Sequence, residues 1–157
     1  MDLFNELISV AAAFNENGIE YALCGGMAVA FHGYPRFTGD IDFLLKRENL
    51  SHAKEILKEL GYTIAAGPFP FDVNSPHPRE VHRISKIEEN DTSTIDILII
   101  NEPLEEVWKT REKYSIEGHL VHVVSREGLI QMKTLAGRDQ DMLDIKKLSE
   151  SPDSDEK

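Results

Sequence analysis

The sequence predicts one α/β (α+β) domain with a mixed central β-sheet flanked by helices. Segments with apolar residues at helical spacing alternate along the chain with short, strongly apolar segments typical of strands. Neither an internal repeat nor a linker divides the 157 residues, a length that suits one domain. We expect a single domain over residues 1–148, followed by an acidic, disordered tail over residues 149–157.

Six segments have the apolar spacing and end signals of helices. In the first, Leu3, Leu7 and Ala11 recur at intervals of four residues, and Asn17-Gly18 ends the run. Gly61 ends the third segment in the same way. The predicted helices are, in chain order, residues 2–16, 27–34, 48–61, 104–108, 126–136 and 138–148.

Five apolar segments predict strands that together can form one sheet. The predicted strands are, in chain order, residues 19–24, 40–46, 81–89, 93–100 and 119–125. The segment 65–80 contains four prolines, so we expect it to be mostly loop. A loop of this length is usually functional rather than a simple connection.

Composition and charge exclude several classes of protein. The net charge is -11, and no basic residue precedes Arg36, which disfavours an extended binding surface for nucleic acid. No run approaches the roughly 20 apolar residues of a membrane span, so no membrane partner is expected. Because Cys24 is the single cysteine, a disulfide within the chain is excluded and a cytoplasmic location is expected.

Two aspartates flank one isoleucine in the predicted strand 40–46. Side chains alternate along a strand, so Asp40 and Asp42 face the same side, where like charges repel unless a cation lies between them. A third aspartate, Asp96, interrupts the apolar strand 93–100. If the two strands are neighbours, three carboxylates converge, and carboxylate oxygens are the ligands that Mg²⁺ prefers.

A glycine pair, Gly25-Gly26, lies between a predicted strand and a predicted helix. Glycine lets a phosphate group approach the backbone closely, and backbone amides at such a turn bind anions. A phosphate-binding turn followed by metal-binding carboxylates favours metal-assisted phosphoryl or nucleotidyl transfer.

This pattern resembles the nucleotidyltransferase superfamily of the DNA polymerase beta type, and within it the minimal nucleotidyltransferase and AbiEii-toxin branch. The resemblance covers residues 20–148 and differs at one point, because many members have Gly-Ser where this chain has Gly25-Gly26. Backbone amides alone would then contact the phosphate. The motif residues that carry the resemblance are Gly25-Gly26-Met27-Ala28, then Arg36, Thr38, Asp40 and Asp42, then Asp96.

The resemblance implies a Mg²⁺-dependent enzyme that moves a nucleoside monophosphate from an NTP such as ATP to a hydroxyl acceptor and releases pyrophosphate. It implies two Mg²⁺ ions, with Mn²⁺ as an alternative, and a role for Asp96 in deprotonating the attacking hydroxyl. The implied catalytic and metal-binding residues are Asp40, Asp42 and Asp96, and the implied nucleotide-binding residues are Gly25, Gly26, Arg36, Thr38 and Lys133.

Two alternative functions stay open. The chain could be a catalytically silent member that acts as a binding protein or toxin–antitoxin component, or a metal-dependent phosphohydrolase. The acceptor could be a small molecule such as an antibiotic, a protein side chain or an RNA end. The small size of the chain is compatible with a homodimer or with a cognate protein partner. Asp139, Asp141 and Asp144 are interpreted as surface charges of the last helix.

Overall fold

The computed structural model describes residues 2–33, 39–71, 74, 76–136 and 139–150. Short 3₁₀ turns, Arg47–Asn49 and Glu102–Leu104, lead into the third and fourth helices. Within the described residues, every helix is too short or too polar to cross a membrane. The helices are α1 (Leu3–Glu16), α2 (Gly25–Phe31), α3 (Leu50–Glu59), α4 (Glu105–Lys109), α5 (Arg126–Ala136) and α6 (Asp139–Glu150).

The strands form one seven-stranded sheet in the order β3-β4-β5-β2-β1-β7-β6. The β2–β5 and β1–β7 pairs are parallel, and the other four pairs are antiparallel. The predicted α/β class with a mixed central sheet is therefore confirmed. The strands are β1 (Ala22–Cys24), β2 (Asp40–Leu45), β3 (Ile64–Phe71), β4 (Arg79–Glu88), β5 (Asp91–Ile99), β6 (Glu112–Ile116) and β7 (His119–Val123).

One face of the sheet is buried beneath α1 and α3. Phe14 of α1 packs against Tyr21 and Phe43, with ring centroids 5.5 and 5.4 Å apart, and all three side chains are fully buried. Phe43 lies opposite Ile97 in the β2–β5 pair, so both strands give this face apolar side chains. The residues that alternate with these along β2 and β5 point to the opposite face of the sheet, which lies beside α2 and α5.

The prediction that residues 65–80 are mostly loop is wrong for its two ends. Residues 64–71 form β3, and β4 begins at Arg79. Proline cannot donate a backbone hydrogen bond, but an edge strand needs bonds on one side only, and β3 is an edge strand. The pairing of β3 with β4 shifts in register between Ala66 and Phe69, around Pro68.

The sequence patterns also miss β6. This strand pairs with β7 through a turn in which Glu117 and Gly118 both have positive φ, 50° and 83°. Most of its side chains are exposed, so it lacks the apolar run that identifies a strand.

The last helix, α6, continues to Glu150, two residues beyond the predicted end of the domain at residue 148. Residues 151–157 of the predicted acidic tail lie outside the described part of the chain.

Candidate active site

Three predicted carboxylates lie on one face of two neighbouring strands. In the parallel β2–β5 pair Asp42 lies directly opposite Asp96, and Asp40 precedes Asp42 by two residues on the same face. All three line a single cavity of about 680 Å³. The two strands are neighbours, which is the condition for the three carboxylates to converge, whereas metal binding by the three aspartates stays a prediction.

The electrostatics of this face disfavour a negative charge at Asp40. Partial burial raises the pKa of the Asp40 carboxyl, and the nearby Asp96 raises it further, while Arg83 opposes both effects. A bound cation would relieve this repulsion. The carboxylate face therefore has the charge distribution of a site for a cation or for a positively charged side chain.

Gly25 lies against the central carboxylate. Its φ is +70°, and a Cβ placed there would lie 1.9 Å from Oδ2 of Asp42. Glycine at position 25 is predicted to let a phosphate approach closely, and the structure shows a second reason for it, because Asp42 fills the space that a side chain would need. The adjacent Cys24, opposite Asp42 in the β1–β2 pair, is a buried thiol whose pKa burial raises.

We expect Gly25→Ala to lower the free energy of unfolding by about 2–4 kcal/mol, from backbone strain at positive φ plus displacement of Asp42. Gly18→Ala is a matched control, since Gly18 has the same φ of +70° and nothing within 4 Å of its Cβ position. Urea denaturation of both variants measures the difference. Equal losses in the two variants would show that the Asp42 contact has no energetic consequence.

Lys133, a predicted nucleotide contact, lies in α5 and lines the same cavity. It is only 5% exposed, and its Nζ is 3.1 Å from Oδ2 of Asp144. Asp144 is fully buried where α6 packs against α5, so its interpretation as a surface charge is wrong. Helical spacing alone could not show this, because the face of α6 that α5 covers depends on how the two helices pack.

Two further predicted nucleotide contacts, Arg36 and Thr38, lie outside the described residues. Gly26 is described and lies buried in the first turn of α2, next to Gly25. The structure thus brings together Gly25, Asp40, Asp42, Asp96 and Lys133 around one cavity.

Arg83 lies in the site, although no sequence pattern indicates it. It lies opposite Asp96 in the β4–β5 pair, and its Nε and Nη2 donate to Oδ1 and Oδ2 of Asp96 at 2.8 and 2.9 Å. Its Nη2 is also 3.8 Å from Oδ2 of Asp40. These carboxylates raise the pKa of the Arg83 guanidinium, which stays charged. A lone arginine in an alternating strand gives no signal in sequence, because its partner depends on the strand register.

The donor set partly fits a magnesium ion. In the described part of the chain, no group of three or more His, Cys, Asp or Glu side chains is arranged to hold a metal ion. Mg²⁺, however, is commonly held by one or two carboxylates together with substrate phosphates and water. Asp40 and Asp42 are two such carboxylates, whereas both oxygens of Asp96 accept hydrogen bonds from Arg83, so magnesium binding stays a prediction.

The parallel β2–β5 pair carries three carboxylates beside a glycine turn, within a mixed sheet. A family model described as "Uncharacterised nucleotidyltransferase" matches residues 1–135, and the chain belongs to this family. The predicted superfamily is confirmed, whereas the AbiEii-like branch stays a prediction. No curated protein matches the chain in sequence.

Solved structures of nucleotidyltransferases have a similar fold. An antigenic nucleotidyltransferase-like protein from Paracoccidioides brasiliensis is 18% identical, with a TM-score of 0.62 over 94% of this chain and 75% of that chain. A putative nucleotidyltransferase from Thermotoga maritima is 16% identical, with a TM-score of 0.62 over 92% and 90%. ANT(2″)-Ia in complex with adenylyl-2″-tobramycin is 14% identical, with a TM-score of 0.56 over 92% and 85%. At such identities the likeness shows the fold alone.

Proposed function

We propose that the protein is a Mg²⁺-dependent nucleotidyltransferase that moves a nucleoside monophosphate from an NTP to a hydroxyl acceptor. One observation carries the proposal: Asp42 and Asp96 lie in register on the open face of β2 and β5, with Gly25 against Asp42, in a chain of a nucleotidyltransferase family. The proposal is supported because backbone amides at a glycine turn can bind phosphate and neighbouring carboxylates can bind a divalent cation.

The proposed reaction is an in-line displacement at the α-phosphate. A bond forms between the acceptor oxygen and the α-phosphorus, the bond from that phosphorus to the bridging oxygen of the β-phosphate breaks, and pyrophosphate leaves. Asp96 takes the proton of the acceptor hydroxyl once the Arg83 guanidinium, which donates a hydrogen bond to each Asp96 oxygen, has moved from that carboxylate. Gly25 and Gly26 hold the outer phosphates through their backbone amides.

Asp40 and Asp42 would hold Mg²⁺, or Mn²⁺ as an alternative, and a second ion would also contact Asp96. A divalent ion would neutralise the charge of the phosphates and activate the attacking oxygen. Lys133 and Arg36 are assigned to the nucleotide, Lys133 because it lines the cavity and Arg36 by the family resemblance alone.

The experiment that tests this function is calorimetric titration with each of the four NTPs, with and without Mg²⁺. We expect saturable binding of at least one NTP that needs the metal. The same NTP should then support an acceptor screen in which pyrophosphate release and the mass of the modified acceptor are both measured. No binding of any NTP under either condition would contradict the proposal.

A second candidate is a catalytically silent binding protein, including a toxin–antitoxin component with a cognate protein partner. The observation that favours it is the engagement of both Asp96 oxygens by Arg83. NTP binding without pyrophosphate release across a broad acceptor screen is the result expected for this candidate. ANT(2″)-Ia is seen with adenylyl-2″-tobramycin, so hydroxyl-bearing antibiotics belong in that screen beside other acceptors.

A further inference from the structure

A positively charged side chain lies on the carboxylate face, the side of β2 and β5 that carries Asp40, Asp42 and Asp96. It is Arg83 of β4, whose Nε and Nη2 donate hydrogen bonds to Oδ1 and Oδ2 of Asp96. Its Nη2 is also 3.8 Å from Oδ2 of Asp40. One guanidinium thus interacts with carboxylates of both strands, as a bound cation would.

Arg83 and a divalent cation would stabilise the same negative charges. Burial and the Asp96 carboxylate raise the pKa of Asp40, whereas Arg83 lowers it. The hydrogen bonds to Asp96 in turn raise the pKa of the Arg83 guanidinium, so Arg83 cannot lose its charge to make room for an ion. A cation on the Asp96 oxygens would lie beside this charge, and like charges repel. The guanidinium and the cation are therefore alternatives at Asp96.

The contact between Arg83 and Asp96 can open without disturbing the core. The Arg83 side chain is 48% exposed and lines the cavity, and solvent screens an ion pair at such a position. The pair of Lys133 and Asp144 differs, because both of its side chains are buried. Removing one member of a buried pair is strongly destabilising. Of these two pairs, the Arg83 pair is the one that can release its carboxylate readily.

We propose that Arg83 competes with a divalent cation for Asp96 and so controls when the site holds its metal. The guanidinium leaves Asp96 before that carboxylate takes a metal ion and the proton of the acceptor hydroxyl. The inference rests on the proposed function, which assigns both tasks to Asp96. It also gives the pairing of Arg83 with Asp96 a role in an active enzyme, whereas in a catalytically silent protein the same pairing would be permanent.

The competition couples metal binding to the nucleotide. Mg²⁺ is usually held by one or two carboxylates together with phosphate oxygens of the substrate. While Arg83 engages Asp96, an ion gains less from the protein, and the phosphates of an NTP supply the missing ligands. The site would then hold its metal firmly only together with the nucleotide.

Titration with Mn²⁺ in the absence of nucleotide, followed by electron paramagnetic resonance of the free ion, measures the competition. Arg83→Gln removes the charge and the paired donors, and should bind Mn²⁺ about tenfold more tightly than the wild type. Arg83→Lys keeps the charge but cannot donate in the paired geometry of a guanidinium, so its gain should be smaller. Arg47→Gln is the matched control and should bind Mn²⁺ like the wild type, because Arg47 pairs with both oxygens of Glu80 outside the cavity.

An Asp96→Asn variant shows whether Arg83 acts through its hydrogen-bonded partner. Asparagine keeps the size of the side chain and removes the charge for which Arg83 and the cation compete. Adding Arg83→Gln to this variant should therefore raise the Mn²⁺ affinity by about twofold at most, the remainder arising from Asp40. A gain as large as in the wild-type background would overturn the competition at Asp96.

NTP binding with Mg²⁺ is measured on the same samples, so that the two proposals fail separately. Mn²⁺ binding no tighter than that of the wild type in both Arg83 variants would overturn the competition, and the lysine variant keeps this outcome measurable if the glutamine variant fails to fold. Normal NTP binding by the wild type would then leave the proposed function intact. Tighter Mn²⁺ binding by Arg83→Gln without NTP binding by the wild type would instead overturn the proposed function, and the competition would stand.

Discussion

Asp42→Asn is expected to reduce nucleotidyl transfer by about a thousandfold and to abolish Mg²⁺-dependent NTP binding. Asp42 occupies the centre of the site, opposite Cys24 on one side and Asp96 on the other, with its carboxylate against Gly25. Asparagine keeps the size of the side chain, so the packing on Gly25 survives, but it removes the charge that a divalent cation needs. Pyrophosphate release and calorimetric titration measure the two effects.

Asp91→Asn is the matched control for this prediction. It makes the same chemical change at the start of β5, where Asp91 is exposed and lies outside the cavity. It should leave transfer and NTP binding at wild-type levels, and circular dichroism should show both variants folded. Transfer at near wild-type rates by Asp42→Asn would show that this carboxylate holds no catalytic metal.

Asp144→Ala is expected to lower the free energy of unfolding by about 3–5 kcal/mol. The substitution leaves the Lys133 ammonium without the carboxylate that lies 3.1 Å away, at a position where the lysine is 5% exposed. Removing one member of a buried ion pair is strongly destabilising, because the remaining charge keeps its desolvation cost and loses the attraction of that carboxylate. Urea denaturation followed by fluorescence of Trp108, the single tryptophan, measures the change.

The double variant Lys133→Met/Asp144→Leu separates the charge effect from packing. Replacing both members of a buried ion pair with apolar residues of similar volume is often neutral for stability, so most of the loss should be recovered. A double variant as unstable as Asp144→Ala would contradict this account. The recovered protein also tests the predicted nucleotide contact of Lys133, because weaker NTP binding at normal stability would then arise from the missing ammonium.

The parts of the site that could be predicted from sequence are those set by local periodicity. Alternation along a strand places Asp40 and Asp42 on one face, and Asp96 is conspicuous because it interrupts an apolar run. Neither statement needs knowledge of a distant part of the chain. The same holds for α5, whose predicted limits, residues 126–136, agree with the structure.

The parts that were missed depend on long-range pairing. Arg83 reaches Asp96 only because β4 and β5 pair in one particular register, and a shift of one residue would turn it to the other face. Asp144 is buried only because α6 packs on α5 with that side inward. The prolines of β3 indicate loop in the sequence, but they are acceptable in an edge strand, and the position of a strand in the sheet depends on distant parts of the chain.

The prolines of β3 also bear on how copies of this protein can associate. Among the described strands, β3 and β6 are the two outer ones, and neither has a second neighbouring strand on its outer side. Pro68 and Pro70 deprive β3 of two donors, and β6 presents the exposed charges of Glu112 and Lys113. Pairing of β3 or β6 with a strand of a second molecule is therefore disfavoured at both edges of the sheet, which protects the protein from polymerisation through its strands. A homodimer would have to form through other surfaces, such as the helical surface where Leu135, Met142 and Leu143 are about half exposed.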